Sequence, residues 1–241
     1  MSEAPTSHTL RREDAALLRG EACFGQDLKL PHALHLAFVR SPQAHAHILH
    51  MDTASALQMP GVNADLTATD LGQHWMPSIN PLLPLLHDVQ FGLLAQDTVS
   101  YVGQVVAVVV AQTSQQARHA AAQVQLSLRP ETVTCDFDAQ NPITTQTQHH
   151  HGELPQHAPS ASVHLHVPRL TAMPMEPRAC SASWHDDTQR MTLWLGTQTP
   201  SRAQADAAHV LGIDVAQVHV ICPDVGGAFG ARASVSPEDL L

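Results

Sequence analysis

The run Val105-Val106-Ala107-Val108-Val109-Val110-Ala111 constrains this chain more than any other feature. It is far shorter than the ~20 apolar residues needed to cross a bilayer. Seven consecutive β-branched or small apolar residues fit a strand covered on both faces, and we read that strand over Tyr101 to Ala111. A strand with no polar face needs a layer on each side, and the flanking sequence offers material for both. His32 to Val39 alternates Leu34, Leu36 and Phe38 with other residues, which predicts a strand ended by Arg40-Ser41-Pro42. Ala46 to Met51 is a second extended stretch, and Val62 to Thr67 a third. Thr53 to Gln58 reads as one short helix stopped by Pro60-Gly61. After the valine run, Thr113 is placed to cap a helix in which Ala117, Ala120, Ala121 and Val124 recur at helical spacing. Leu126 to Leu128 then returns as a strand. Residues 73 to 97, with Pro77, Pro81 and Pro84, read as a long surface loop.

The pattern changes at both ends of this unit. Residues 1 to 19 form a polar leader. Residues 131 to 160, rich in Gln, His, Thr and Pro, read as a linker. His149-His150-His151 lies inside it, and the simpler reading is a solvated tract. A second unit starts near Val163. Ser181 to His185 and Met191 to Thr197 flank Asp186-Asp187 as a β-hairpin. Thr199-Pro200 opens a helix with proline at its first position, and Ala203, Ala207, Val210 and Leu211 give it a narrow apolar face. Gly212 closes it, and Val218 to Cys222 is a short strand leading into a glycine loop.

Charge and cysteine use exclude several functions. The net charge is -10, Lys plus Arg total 12, and no basic cluster exceeds Arg11-Arg12, so nucleic acid is not an expected partner. No membrane span is expected. The N-terminus lacks a basic region followed by an apolar one, which predicts a cytoplasmic location. Cys23, Cys135, Cys180 and Cys222 show no paired spacing for zinc or an iron–sulfur cluster, so they read as reduced, mostly buried thiols.

Two segments can carry chemistry. In Asp224-Val225-Gly226-Gly227-Ala228-Phe229-Gly230 the glycines permit positive φ, and backbone N–H groups can gather around an oxyanion. Phe229 adds a flat wall and Arg232 a positive charge. A plain turn fits the same residues. A dinucleotide fingerprint does not, because the glycine spacing is wrong and the residues after Gly230 are poor helix formers. In Gly196-Thr197-Gln198-Thr199-Pro200, Gln198 sits between a strand and a helix. There its amide either points at an oxo or sulfido group or simply closes a turn.

An ordered set of segments carries a family resemblance. In sequence they are Gly20-Glu21-Ala22-Cys23-Phe24, Phe38-Val39-Arg40-Ser41-Pro42 with Ala44-His45-Ala46-His47-Ile48, and Met59-Pro60-Gly61-Val62. Tyr101-Val102-Gly103-Gln104 with Val106-Ala107-Val108-Val109, Met175-Glu176-Pro177-Arg178, Thr197-Gln198-Thr199-Pro200 and the glycine loop follow. From about residue 20 onward the chain resembles the N-terminal portion of the xanthine dehydrogenase/aldehyde oxidase/carbon monoxide dehydrogenase large subunit.

The resemblance implies an α+β fold. It comprises an α/β hammerhead domain over residues 20 to 130, then the beginning of a molybdenum-cofactor-binding α+β domain over 161 to 241. It implies molybdopterin, expected as the cytosine dinucleotide, with Gln198, Gly226, Gly227, Ala228, Phe229, Gly230 and Arg232 as cofactor-binding residues. Gln198 and Phe229 are expected near molybdenum, with no direct protein ligand to the metal. The implied reaction oxidises an aldehyde or N-heterocycle with water-derived oxygen. The general base is expected outside this chain, and Glu176 is read as structural. The four cysteines cannot build iron–sulfur clusters, so an iron–sulfur small subunit and an FAD-binding medium subunit are the expected partners. A separate chain carrying the rest of the large subunit is a further one. The alternative is a truncated or split-gene fragment that serves as a binding or assembly module. Two departures stand out: Ala228 replaces a family glycine, and Ala233 replaces the glutamate of purine-oxidising members, so a purine is not the expected substrate.

Overall fold

The computed structural model describes residues 11–72, 75–76, 91–134, 148–153, 161–168 and 170–241. In chain order the elements are α1 (Asp14–Leu18), β1 (His35–Arg40), β2 (Ala46–Asp52), α2 (Ala54–Leu57), β3 (Val62–Thr67) and α3 (Ala68–Leu71). Next come β4 (Trp75–Met76), β5 (Phe91–Gly92), β6 (Thr98–Val99), β7 (Val105–Ala111), α4 (Ser114–Ala121) and β8 (Gln125–Pro130). The last group is β9 (Cys180–His185), β10 (Arg190–Leu195), α5 (Pro200–Leu211), β11 (Val218–Ile221) and α6 (Pro237–Leu240).

The valine run is the centre of an antiparallel sheet ordered β1-β7-β3. Its two faces meet different layers, which explains the absence of a polar stripe. Val106 packs with Ala46, Val99, Ile48, Leu126 and Leu128 of a second antiparallel sheet ordered β6-β2-β8. Val109 packs with Ala56 of α2 and Ala120 of α4. The helix α4 starts as its sequence predicts, with Thr113 Oγ1 accepting from Gln116 N at 3.2 Å. The strand itself is shorter than expected. Residues 101–104 form a turn in which Gly103 takes φ +90°, and Tyr101 and Val102 are exposed. That turn is held by Gly103 N donating to Ser41 O at 2.8 Å and by Ser41 N donating to Gln104 O at 2.9 Å.

The second unit is a sheet ordered β11-β10-β9, in which β10 pairs antiparallel with β9 and parallel with β11. The parallel pair requires a crossover, and α5 supplies it. Ala203, Ala207 and Ala208 let α5 lie close against Leu193, Leu195 and Val218. Gly212 ends the helix in the left-handed region at φ +66°. Two details of this helix differ from the sequence reading. Leu211 is exposed, and Thr199 makes no side-chain cap. Its Oγ1 donates instead to Ala233 O at 2.9 Å, a partner 34 residues away.

The 1–19 leader contains α1, and the 73–97 stretch contributes the paired β4 and β5. Pro77, Pro81, Pro84 and Cys135 lie outside the described residues, as does most of the 131–160 stretch. His149, His150 and His151 are exposed. Cys23 is exposed as well, contrary to the expectation of mostly buried thiols. No described helix is long and apolar enough to cross a membrane.

The halves of the chain are stitched together. Cys23 N donates to Asp224 Oδ2 at 2.9 Å, and Asp224 N returns a bond to Cys23 O at 3.0 Å. Arg40 Nη1 meets Glu238 Oε1 at 2.7 Å, and Leu241 packs on the cluster formed by Leu94, Val105 and Val108. Burial pushes the Glu238 carboxyl up, but the Arg40 hydrogen bond and charge, helped by local hydrogen bonds, bring it below its usual range.

Val108 is fully buried where these layers converge. Val108→Ala is expected to lower unfolding free energy by about 1–3 kcal/mol through lost burial and a residual cavity. Urea titration checks this, with the midpoint falling and the slope unchanged.

Candidate cofactor-binding site

The glycine loop leaves β11 through Cys222-Pro223-Asp224 and turns sharply. Gly227, Phe229 and Gly230 have φ of +104°, +50° and +84°. Phe229 is the unusual member, since a bulky residue at positive φ is uncommon and calls for support from its surroundings. Ala228 does not take positive φ, so its methyl adds no backbone strain at that position.

The support lies behind the loop. Glu176 and Arg232 form an ion pair at 2.7 Å, with side chains only 7% and 3% exposed. Every charge in it is satisfied. The Glu176 carboxylate also accepts from Gly226 N at 2.8 Å and Gly25 N at 3.2 Å. Arg232 Nη2 donates to Glu176 O at 2.6 Å and Pro177 O at 3.3 Å. Two glycines owe their identity to this pair. A Cβ on Gly226 would come within 2.6 Å of Glu176 Cβ, and one on Gly196 within 2.5 Å of Arg232 Nη1.

The backbone of Arg232 reaches the other way, to the Gln198 loop. Its carbonyl accepts from Gln198 N at 3.0 Å and from Thr197 Oγ1 at 3.1 Å. The two segments singled out in the sequence are therefore adjacent and joined through one residue. Gln198 is exposed, and Phe229 is 78% exposed. Among the described residues, the N–H groups of Gly227, Ala228, Phe229 and Gly230 donate to no protein group. Arg232 itself does not face outward as the sequence reading expected, because its guanidinium is spent on Glu176 and Pro177. The sequence reading had Glu176 as structural without a partner, and no local signal linked it to a residue 56 positions away.

Beside Gly230 and Ala231 a cleft of about 420 Å³ runs between the halves, walled by Phe91 and Tyr101 on one side and Arg202 and Asp206 of α5 on the other. Burial pushes the Asp206 carboxyl above its ordinary range, and Arg202, 3.4 Å away, pulls against that shift. The cleft has the size of a small-molecule site. The sequence reading missed it because its walls come from segments more than 100 residues apart.

Two family models cover nearly the whole chain. "Aldehyde oxidase and xanthine dehydrogenase, a/b hammerhead domain" matches residues 19–132, and "Molybdopterin cofactor-binding domain" matches 137–241. The chain belongs to the xanthine dehydrogenase/aldehyde oxidase/carbon monoxide dehydrogenase large-subunit family. It corresponds to the N-terminal portion of that subunit and has the expected hammerhead followed by the start of the cofactor-binding domain. The nicotine 6-hydroxylase large subunit of Paenarthrobacter nicotinovorans is 34% identical, over 96% of this chain and 30% of its own length. The carbon monoxide dehydrogenase large chain of Hydrogenophaga pseudoflava is 30% identical, over 94% of this chain and 31% of its own. The crystal structure of quinoline 2-oxidoreductase from Pseudomonas putida 86 superposes with a TM-score of 0.85 at 30% identity, covering 96% of this chain and 32% of that one. This family member thus spans about a third of the length of these relatives.

Two tests follow from the packing around the loop. Arg232→Met leaves the Glu176 charge buried without its partner, and a loss of about 3–5 kcal/mol is expected by urea denaturation. Arg232→Lys keeps the charge but not the fork, and should lose less. The second test concerns Cys180, whose thiol burial pushes up from 9.0 to about 12, with Asp239 adding to the shift and Arg178 opposing it. The folded state therefore favours the neutral thiol, so this group's contribution is unchanged below pH 9 and falls as pH rises from 9 towards 12. Iodoacetamide at neutral pH is expected to label exposed Cys23 and spare Cys180 until denaturant is added, as peptide mapping would show.

Proposed function

We propose that this chain supplies the hammerhead and one wall of the cofactor site of a molybdenum hydroxylase that oxidises an aldehyde or N-heterocycle with water-derived oxygen. The observation that carries this reading is the pairing of two loops across the Arg232 carbonyl. Their outward faces offer Gln198, Phe229 and a row of unengaged backbone N–H groups. Those donors suit the oxo and pyran–dithiolene periphery of a molybdopterin, so the residues present fit the group. Gln198 would present its amide, residues 227–230 their N–H groups, and Phe229 a flat wall. When bound, the cofactor supplies the two-electron redox chemistry. Arg232 and Glu176 act from behind by holding both loops in register. The cleft beside Gly230 has the size for a flat ring or an aldehyde chain, and Ala233 stands where the purine-oxidising members of the family carry a glutamate.

The cytosine dinucleotide form, the iron–sulfur small subunit, the FAD-binding medium subunit and a cytoplasmic site of action belong to the same proposal, as do the boundaries at residues 20, 131 and 161. That relatives are a large subunit and a subunit of a dehydrogenase complex supports the separate-subunit arrangement. A second reading, a binding or assembly module without activity of its own, draws on the one-third share of the relatives that this chain spans.

Metal analysis tests the proposal. The chain is expressed, in a host that makes the cofactor, with the complementary portion of a matched large subunit. Molybdenum is expected in the complex and is expected to drop several-fold with Gly227→Val, which fills the loop face. A complex that forms without molybdenum would sink the cofactor reading. Stoichiometric molybdenum in the isolated chain would sink the view that the site needs a second wall.

A further inference from the structure

The segment that leads into Glu176 is unusually apolar for its exposure. Val163, Leu165 and Val167 are 77%, 78% and 77% exposed, and Leu170, Met173 and Met175 are at least as open. None of these residues belongs to a strand or helix of the described structure. Free surfaces seldom carry a contiguous apolar patch beyond several hundred Å² without a partner. The residues also alternate. In an extended conformation Val163, Leu165 and Val167 share one face, and His164 and His166 the other. That is the pattern of a strand with one face buried, and among the described residues these side chains are left exposed.

The relatives' length bears on what could cover it. They are about three times as long as this chain, and about two-thirds of their sequence lies beyond the part it matches. The segment also runs directly into the residues that hold the glycine loop, and then into β9, the edge strand of its sheet. A polypeptide laid along it would lie next in chain to Glu176, which holds the glycine loop.

We propose that residues 163–168 and 170–175 are the docking strand for the polypeptide corresponding to the other two-thirds of the large subunit, which adds a strand of its own with Val163, Leu165 and Val167 facing inward. The proposal rests on the functional reading above only for the partner's identity.

The test uses the tagged full chain, coexpressed with the complementary portion of a matched large subunit in a host unable to make the molybdenum cofactor. Capture then depends on docking alone, so its outcome is separate from the metal analysis. The wild-type chain is expected to capture the partner. The triple variant Val163→Asp, Leu165→Asp, Val167→Asp is expected to weaken capture by about tenfold or more, with circular dichroism and Tm unchanged because those side chains are exposed. Val102→Asp, an exposed apolar residue elsewhere, should leave capture intact. The proposal is overturned if the wild type captures nothing or if the triple variant captures equally well. It is overturned too if the isolated chain is a dimer that the triple variant dissociates, since the occupant is then a second copy.

Discussion

A carboxylate and a guanidinium buried together hold this molecule's candidate site in shape. Only 14% of the chain is charged, and most of the ion pairs among the described residues lie at or near the surface, where they contribute little. Glu176 and Arg232 are different. Taking them out of water costs several kcal/mol per ion unless each polar atom finds a partner. Here the carboxylate gathers Gly25 N, Gly226 N and Arg232, while the guanidinium gathers two backbone carbonyls besides. Four separate stretches of chain converge on the pair. Gly196 and Gly226 are glycine because no Cβ fits beside it.

This arrangement divides the loops into a back and a front. Behind, the hydrogen-bonding capacity is consumed by the ion pair and by the Arg232 and Ala233 carbonyls, which accept from Thr197, Gln198 and Thr199. In front, Phe229, Gln198 and four backbone N–H groups are left over. A site that must meet a polar cofactor at close range benefits from donors that are fixed before it arrives. The positive φ of Phe229 fits the same picture, because a conformation of that kind persists only where neighbouring contacts over-determine it.

The hammerhead sheets serve the site less directly. The valine strand β7 anchors two sheets and two helices, and Arg40, at the end of its neighbour β1, reaches Glu238 just beyond the loop. The pairing of Cys23 with Asp224 draws the segment before β1 onto the second unit. The cleft between the halves follows from these contacts. Neither half could form it alone.

Much of this was legible in the residues. The apolar run, the hairpin around Asp186-Asp187, the Thr113 cap and the Gly212 stop are read from neighbours within a few positions, where strand and helix periodicity and backbone preference operate. The quoted motifs carried the family, and the two loops were singled out as separate turns. Tertiary contacts decided the rest. Residues 101–104 leave the strand because Ser41 bonds Gly103 and Gln104 and holds them in a turn. Thr199 gives up its cap for Ala233. Arg232, which looks like a cation offered to a ligand, is committed to Glu176. The sequence by itself determined the principal strands and helices, the hairpin and the helix stop, since those choices are local. Only the tertiary structure decided which polar groups are used up and which remain open, because that depends on partners as distant as residues 23 and 224, which a local pattern cannot register.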